Sequence, residues 1–219
     1  MRTKRNIICV CKKGVKKSHQ YFESHVNIMK NMMDRHCDYD NFVCITDITI
    51  SDPSIQVIPI NDEPKHLSWW SKIEVFNPDL PVEGECLYID LDAVVLYNID
   101  CLFEHKPGIP LKFYNENCCG IGARHMYNSS VIRFTPGDYA HIWYDYQNRW
   151  EFIQSRYFFG DDQYTSALDK SSGCFPLDWI ATHHDNIASD EYIKQKIVVF
   201  GQGDKPWRSD NPQIQGEYR

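Results

Sequence analysis

Long hydrophobic runs are absent from this sequence of 219 residues. No stretch approaches the roughly 20 apolar residues that span a bilayer. The early run Asn6-Ile-Ile-Cys-Val-Cys11 is too short for the core of a secretory signal, and lysines follow it at once. The sequence therefore predicts neither a transmembrane segment nor a secretory signal.

Cysteine spacing typical of a zinc site is also missing. The nine cysteines include Cys9, Cys11 and the neighbours Cys118 and Cys119, but no Cys-x-x-Cys pair. An odd number of cysteines without such pairs is typical of reduced thiols rather than of a disulfide framework. We therefore expect a cytoplasmic protein without a structural zinc ion.

Positive charge is in short supply. The chain has 23 Lys and Arg against 30 Asp and Glu, which gives a net charge of −7 at pH 7. This balance argues against nucleic acid as a partner, because general nucleic-acid binding rests on neutralising phosphates. Basic residues do cluster near the start, and the group Lys12, Lys13, Lys16 and Lys17 either attracts an anionic ligand or forms a solvated loop. The solvated loop is the simpler interpretation.

What is present is the composition of an ordinary globular domain, with 42% hydrophobic, 24% charged and 14% aromatic residues. Apolar runs rich in Ile and Val alternate with helical stretches, which predicts an α/β fold with a largely parallel sheet. Strands are predicted near 7–10, 42–46, 56–60, 86–90, 109–114, 130–134 and 197–200. Helices are predicted near 18–36, 67–76, 138–153 and 161–168. Asp138 is the expected N-cap of the third helix, and the stretch after Gly201 is expected to be irregular.

The most informative segment is 85–96, where an apolar strand runs directly into Asp90-Leu-Asp92. In open α/β sheets, ligands bind beyond the carboxyl ends of the strands. Two carboxylates in such a place are costly unless a cation compensates them, and Mg²⁺ or Mn²⁺ is the natural choice. The pattern therefore favours a metal site over two acids that merely cap a turn.

Two chemistries use this pattern, and its shape alone does not separate them. One is glycosyl transfer from a nucleotide sugar, where the metal bridges the diphosphate. The other is phosphoryl transfer of the haloacid-dehalogenase kind, with Asp90 as the nucleophile, and Gly160-Asp-Asp162 resembles a later motif of that family. Such phosphatases usually place the first motif on the first strand, whereas about 85 residues precede it here. The further acid expected after the later motif is also missing, since Tyr164 and Thr165 stand there.

Several further motifs occur in the order of one family. They are Phe42-Val-Cys-Ile-Thr-Asp47, Trp69-Trp-Ser-Lys-Ile-Glu-Val-Phe76, Leu87-Tyr-Ile-Asp-Leu-Asp92 with Asn98-Ile-Asp-Cys-Leu-Phe103, Asn128-Ser-Ser-Val-Ile-Arg-Phe134, Gly160-Asp-Asp-Gln163, and Val198-Val-Phe200 with Lys205-Pro-Trp207. Taken together, they resemble the glycogenin-like, retaining GT-A glycosyltransferases of family 8 and its small bacterial and viral relatives. The resemblance covers most of the chain.

The resemblance implies one GT-A domain over residues 1–219, an α/β/α sandwich with a mixed, mainly parallel sheet. Residues 1–92 would bind the nucleotide, 93–200 the acceptor and the sugar, and 201–219 would cover the donor. The implied reaction is metal-dependent transfer of a hexose from a nucleoside-diphosphate sugar, UDP-linked, to a glycan, lipid or protein acceptor. Configuration at the anomeric carbon would be retained.

The same resemblance assigns roles to individual residues. Asp90 and Asp92 would hold Mn²⁺ or Mg²⁺, and the catalytic residues would be Asp162, Gln163 and Lys205. The donor would be bound by Lys72, Asp47, Asp90, Asn128, Ser129 and Lys205.

Several of these assignments have a plainer structural alternative. Lys72 would snorkel over an apolar helix face, and Asp161 or Asp162 would cap the helix after Gly160. Turns would account for Asp47 and for Asn128 with Ser129. Tyr139, Trp143, Tyr146 and Trp150, at helical spacing, predict a packed stripe rather than a sugar-binding face.

Two departures from the family pattern bear on function. Relatives place a His shortly before Lys-Pro-Trp as a third metal ligand, whereas this chain has Phe200-Gly-Gln-Gly-Asp204. Gln202, Asp204 or the pair His183-His184 would then complete the site, or the site is weaker or selective for Mg²⁺. Ser130 replaces the usual Gly and would tighten the sugar pocket. A degenerate transferase that binds nucleotide sugar without turnover therefore stays open as a further alternative.

Overall fold

The computed structural model describes residues 2–13, 20–60, 63–108, 110–114, 127–158, 160–169, 172–183, 192–201 and 203–219. The strands are β1 (Arg5–Cys11), β2 (Asn41–Thr46), β3 (Ile55–Pro59), β4 (Glu85–Ile89), β5 (Ala93–Val95), β6 (Leu111–Tyr114), β7 (Tyr127–Phe134), β8 (Gly173–Cys174), β9 (Ile180–Thr182) and β10 (Ile197–Val199). The α-helices are α1 (Glu23–His36), α2 (Cys101–Glu104), α3 (Ala140–Arg156), α4 (Asp161–Leu168) and α5 (Pro212–Glu217). Shorter 3₁₀ helices lie at Pro64–His66, Ser68–Phe76 and Pro206–Arg208.

The main sheet has the strand order β3-β2-β1-β4-β7-β6-β8. Strand β1 lies parallel to β2 and β4, β2 lies parallel to β3, and β6 lies parallel to β8. Strand β7 runs antiparallel to both β4 and β6. A smaller sheet has the order β5-β10-β9. The predicted α/β fold with a mixed, mainly parallel sheet is therefore confirmed.

Apolar side chains cover both faces of the main sheet. On β1, Ile7 belongs to the core cluster that contains Met29 of α1, whereas Ile8 belongs to the cluster that contains Ile73 and Tyr146. Successive side chains of a strand point to opposite faces, so a strand that is apolar at every position must be covered on both sides. Helix α1 supplies one layer, and the 3₁₀ helix Ser68–Phe76 with α3 supplies the other.

Helix α3 confirms the predicted aromatic stripe but not its predicted start. Tyr139 and Tyr146 are buried, and the two tryptophans of the stripe pack against the same core. The expectation that Asp138 is the N-cap is wrong, because Tyr139 occupies that position. The Asp138 carboxylate instead accepts a hydrogen bond from the amide of Thr135 at 2.7 Å, in the preceding turn.

The expectation of an irregular stretch after Gly201 is also wrong. Helix α5 and the 3₁₀ helix Pro206–Arg208 lie there. Asn211 caps α5 by accepting from the amide of Gln213 at 3.0 Å, and Pro212 is the first helical residue. Asn followed by Pro is a turn signal and equally a helix start, and here the helix forms because Ile214 is buried in the core.

Other boundaries differ in detail. The helix predicted over 18–36 begins at Glu23, and the one predicted over 67–76 is a 3₁₀ helix. Strands β5, β8 and β9 and helix α2 were not predicted, because two to four residues are too short to show a period. Among the described residues, no helix combines the length and the apolar character that crossing a membrane requires.

Candidate functional site

The candidate site lies at the edge of the main sheet where the parallel strands end. Lys12 follows β1, Asp47 follows β2, and Asp90 follows β4. These three strands are parallel, so their carboxyl ends meet at one edge. Strand β7 is antiparallel to β4 and begins there, since the Asp90 amide donates to the Ser130 carbonyl at 2.9 Å. Ligands of open α/β sheets bind at such an edge.

Asp92 is buried and pairs with Lys205 from the C-terminal segment. The Lys205 Nζ lies 2.5 Å from the Asp92 Oδ2, and the Tyr21 hydroxyl donates to the same oxygen at 2.8 Å. Lys205 also donates to the Tyr21 hydroxyl at 2.9 Å. Burial and the neighbouring Asp90 raise the pKa of Asp92, and Lys205 opposes that shift. The buried Lys205 ammonium therefore compensates a carboxylate that would otherwise be costly.

Lys72 stands at the centre of a second cluster. Its Nζ lies 3.1 Å from the Asp90 Oδ2, 3.3 Å from the Asp161 Oδ2 and 2.8 Å from the Ser129 hydroxyl. The hydroxyl of Tyr88 donates to the other Asp90 oxygen. Burial opposes the charge on Lys72, but the carboxylates of Asp161 and Asp90 outweigh it and raise the pKa of the ammonium. Lys72 is therefore a buried cation among acids, and the alternative of a snorkelling surface lysine is wrong.

Ser129 connects this cluster to the start of α4. Its hydroxyl donates to Asp161, and its amide donates to the Asp162 Oδ1 at 2.6 Å. Burial and the neighbouring Asp161 raise the pKa of Asp162 to about 6. Gly160 occupies the N-cap position of α4 without a side-chain hydrogen bond. Neither acid therefore caps the helix, and both lie against Ser129 of β7, which also contacts Lys72 of the 3₁₀ helix Ser68–Phe76.

Asp47 lies further along the same edge. Its Oδ2 is 2.7 Å from the Nζ of Lys12, and its Oδ1 accepts from the amide of Lys13 at 2.8 Å. Lys12 is buried, so the solvated-loop interpretation is wrong for this residue. Lys16 and Lys17 lie outside the described residues.

The remaining predicted site residues take less central places. Asn128 is buried on β7, and its side-chain oxygen accepts from the Ser130 amide at 2.8 Å. Gln163 is half-buried on α4, one residue after Asp162. Their predicted contacts with a donor remain predictions.

A divalent cation would have two protein carboxylates here, Asp90 and Asp92. Within the described ranges, no three His, Cys, Asp or Glu side chains come together as a metal site. The ring of His183 stacks on Phe200, and its Nδ1 lies 3.4 Å from the Asp204 Oδ2. In the part of the chain that the structure describes, His183 does not belong to a group of three such side chains. Gln202 and His184 lie outside the described residues. Mg²⁺ is commonly held by one or two carboxylates together with substrate phosphates, and this donor set fits that arrangement.

The sequence did not single out three residues that help to form the site. Tyr21 lies in the loop before α1, and no motif marks it. Tyr88 stands two residues before Asp90 on the same face of a strand, and that spacing was a usable signal. Asp161 is not among the predicted site residues, because the sequence assigns one of the two adjacent acids to a helix cap and the other to the site. The structure brings both acids to Ser129.

Comparisons with known proteins find likeness in structure alone. No protein-family model and no curated protein matches the chain. The galactosyltransferase LgtC, solved with donor and acceptor sugar analogues, matches with a TM-score of 0.70 and 11% identity over 97% of this chain and 93% of that chain. The glycosyltransferase GlyE of Streptococcus pneumoniae TIGR4 matches with a TM-score of 0.69 and 14% identity over 99% of this chain. The bifunctional glycosyltransferase WbbM matches with a TM-score of 0.66 and 12% identity over all of this chain.

The present chain spans only part of two of these proteins, 61% of the GlyE chain and 50% of the WbbM chain. At these identities the likeness establishes the architecture. The mixed sheet and the layers on both of its faces are those of the GT-A fold.

Proposed function

We propose that this chain transfers a hexose from a UDP-sugar to an acceptor, with the donor lying along the carboxyl edge of the main sheet. The observation that carries the proposal is a row of buried lysines along that edge, each paired with a carboxylate: Lys12 with Asp47, Lys205 with Asp92, and Lys72 with Asp90 and Asp161. The structural neighbours, which are glycosyltransferases, support the same class of reaction.

The spacing of the row suits an extended nucleotide sugar. Asp47 follows β2, and Ser129 lies on β7, three strands away in the order β2-β1-β4-β7. Three steps between neighbouring strands span about 14 Å. We place the base and ribose near Asp47, the diphosphate near Lys205 and Lys72, and the sugar near Ser129. Residues 1–92 would then bind the nucleotide, 93–200 the sugar and acceptor, and 201–219 would cover the diphosphate.

Asp90 and Asp92 would hold Mg²⁺ or Mn²⁺ together with the diphosphate. When bound, the cation supplies Lewis-acid stabilisation of the negative charge on the departing diphosphate. Lys205 and Lys72 add positive charge next to the same group, and buried fixed charges of this kind stabilise a transition state without reorganisation. No protein acid is then needed to protonate the leaving group.

Asp162 is placed to act on the sugar. Its pKa of about 6 leaves it mostly ionised at pH 7, and the Ser129 amide fixes its orientation at 2.6 Å. A carboxylate held in this way stabilises positive charge at the anomeric carbon or attacks it from the face opposite the diphosphate, and either route is compatible with retention. Gln163 and Asn128 would bind hydroxyls of the donor sugar or the acceptor.

We place this reaction in the cytoplasm. The cysteines that the structure describes, Cys9, Cys11, Cys37, Cys44, Cys86, Cys101 and Cys174, are all free thiols. Free thiols in this number are typical of a reducing compartment.

The donor site is tested by thermal unfolding with UDP, with Mg²⁺ or with EDTA. A ligand that binds only the native state stabilises it by mass action, so saturating UDP with Mg²⁺ should raise Tm by about 5 °C or more. The Mg²⁺-dependent part of the shift should disappear in Asp92→Asn and persist in Asp79→Asn, which changes an exposed acid. NMR of slow UDP-glucose or UDP-galactose hydrolysis then gives the anomer, and retention predicts that the α-hexose forms first.

Two other outcomes point to the alternatives. Hydrolysis of p-nitrophenyl phosphate without any UDP shift would replace the transferase by a phosphatase that uses Asp90. A UDP shift without hydrolysis of either sugar nucleotide, and without transfer to any acceptor, would leave a binding protein.

A further inference from the structure

A half-exposed indole ring lies beside the two acids at the start of α4. Trp69 belongs to the 3₁₀ helix Ser68–Phe76, three residues before Lys72, and 50% of its surface is exposed. The next residue, Trp70, is buried and stacks on Tyr146 at 5.5 Å between ring centroids. Trp70 therefore anchors this helix in the core, while about half of Trp69 stays exposed to solvent.

The position of that face is fixed by a glycine. Gly160 has φ +89°, and a Cβ atom there would lie 2.6 Å from the Nε1 and 2.8 Å from the Cδ1 of Trp69. Only glycine can adopt this positive φ and leave room for the indole without strain. Gly160 immediately precedes Asp161 and Asp162, so the indole packs on the backbone that carries the two acids. A half-exposed indole is therefore held against the backbone segment that carries the acids of the proposed reaction centre.

Among the proposed ligands, one has a surface that complements this arrangement. A pyranose ring combines an apolar face of C–H groups with a rim of hydroxyls, and binding sites commonly pair aromatic rings with a few convergent polar groups. At this end of the sheet edge, Trp69 would supply the ring and Asp162 with Gln163 would supply polar groups. The nucleobase is proposed to lie near Asp47, which follows β2 at the other end of the row.

We infer that Trp69 is a stacking platform for the acceptor, and that the acceptor is therefore a glycan with a pyranose ring rather than a peptide or a lipid. The inference rests on the proposed function, because it identifies the acceptor of that same site. Phe158, two residues before Gly160 and 83% exposed, adds a second exposed ring to this segment.

Saturation-transfer NMR tests the platform on protein saturated with UDP and Mg²⁺. The probes are methyl β-D-glucopyranoside and methyl β-D-galactopyranoside, with the acyclic polyol glucitol as a control ligand. We expect transfer to the axial C–H protons of at least one glycoside and none to glucitol. Trp69→Ala should weaken glycoside binding by about tenfold or more, and Trp69→Phe should restore part of it. Tyr144→Ala, which removes an exposed aromatic ring from α3, should leave it unchanged.

The UDP-induced Tm shift is measured on the same samples and keeps the two proposals apart. Suppose that UDP raises the Tm of both wild type and Trp69→Ala. Equal glycoside binding by the two proteins, or no glycoside binding by either, would then overturn the stacking platform and leave the proposed donor site intact. Loss of the UDP shift in Trp69→Ala, with a normal unfolding transition, would overturn it in another way, since the indole would then serve the nucleobase. If UDP does not raise the Tm of wild type, the proposed function is wrong, and the acceptor platform that rests on it is wrong with it.

Discussion

The carboxyl group of Asp162 lies where ionisation is costly. Burial and Asp161 raise its pKa from 3.8 to about 6, although the amide of Ser129 donates to it. Between these two pH values the folded protein holds a proton that the unfolded chain has released. The free energy of unfolding therefore falls as the pH rises through this window and stays lower above it.

Removing that charge should stabilise the protein at neutral pH. Asp162→Asn keeps an oxygen that can accept from the Ser129 amide, but it cannot ionise. The free energy of unfolding of the variant minus that of wild type should be on the order of 2 kcal/mol larger at pH 7 than at pH 4. This change corresponds to several degrees in Tm. Urea unfolding at both pH values measures it. The exposed Asp210→Asn serves as the control, and a difference from wild type that is the same at pH 4 and pH 7 would contradict the prediction.

Individual site residues were predictable to the extent that a motif marked them. Asp90 and Asp92 stand out because two acids end an apolar strand, and the structure places both at the sheet edge. Tyr21 could not be predicted, because its contact with Asp92 joins residues 71 positions apart in the chain. Lys12 was misjudged because a lysine after a strand is usually solvated, whereas here Asp47 draws it into the edge.

Helix α4 is fixed at both ends by charged groups. Its first residues carry Asp161 and Asp162, and just past its last residue Asp169 pairs with Lys112 of β6 at 2.8 Å. Lys112 is fully buried, and its ammonium lies 4.7 Å from the ring centroid of Tyr139. Burial lowers the pKa of Lys112, and the Asp169 carboxylate opposes that shift. The pair ties the helix that presents the proposed catalytic acid to β6 of the main sheet.

Breaking this pair should be costly, and removing both charges should cost less. Lys112→Met leaves the Asp169 carboxylate buried without its ammonium, which we expect to cost about 3 kcal/mol or more of unfolding free energy at pH 7. Lys112→Met/Asp169→Asn should recover part of that loss. Urea denaturation of the two single variants and the double variant gives the coupling energy. Strictly additive losses would show that the two side chains do not stabilise one another.

Among the helices and strands, the sequence predicts those that are long enough to show a hydrophobic pattern. Strands β1, β2 and β4 were placed within three residues at each end, because several apolar residues in a row define them. Helix α4 was placed at its observed bounds. Helix α2 is four residues long and depends on tertiary contacts, since buried Arg133 of β7 donates to the carbonyls of Leu102 and Phe103. No local pattern predicts such a helix.

Across the chain, the proposed diphosphate site joins segments far apart in sequence. Asp90 and Asp92 follow β4, Lys72 comes from a 3₁₀ helix before it, and Lys205 comes from the C-terminal segment. That segment is held in place by α5, where Glu217 pairs with Arg35 of α1 at 2.8 Å. Each carboxylate of the proposed metal site has a lysine partner. A diphosphate would attract both lysines and so free the carboxylates for a cation.

This arrangement predicts that Mg²⁺ and UDP strengthen each other's binding, and that Lys205 affects the two in opposite directions. Lys205→Met should weaken UDP binding in EDTA by about tenfold, because a charge next to the diphosphate is lost. The same variant should bind Mg²⁺ more tightly than wild type without nucleotide, since Asp92 loses its competing cation. Isothermal titration of UDP and of Mg²⁺ measures both affinities.

The affinities for UDP and for Mg²⁺ are also measured on a control variant. Lys30→Met removes a charge that pairs with Asp34 on α1, so it should change neither affinity appreciably. A thermal unfolding transition of each variant verifies that it is folded. If Lys205→Met weakens Mg²⁺ binding as well as UDP binding, the lysine supports the cation site rather than competing with it. The proposed exchange of lysine for metal at Asp92 would then be wrong, whereas a rise in Mg²⁺ affinity would identify Lys205 as the group that holds the site closed to the cation until the diphosphate arrives.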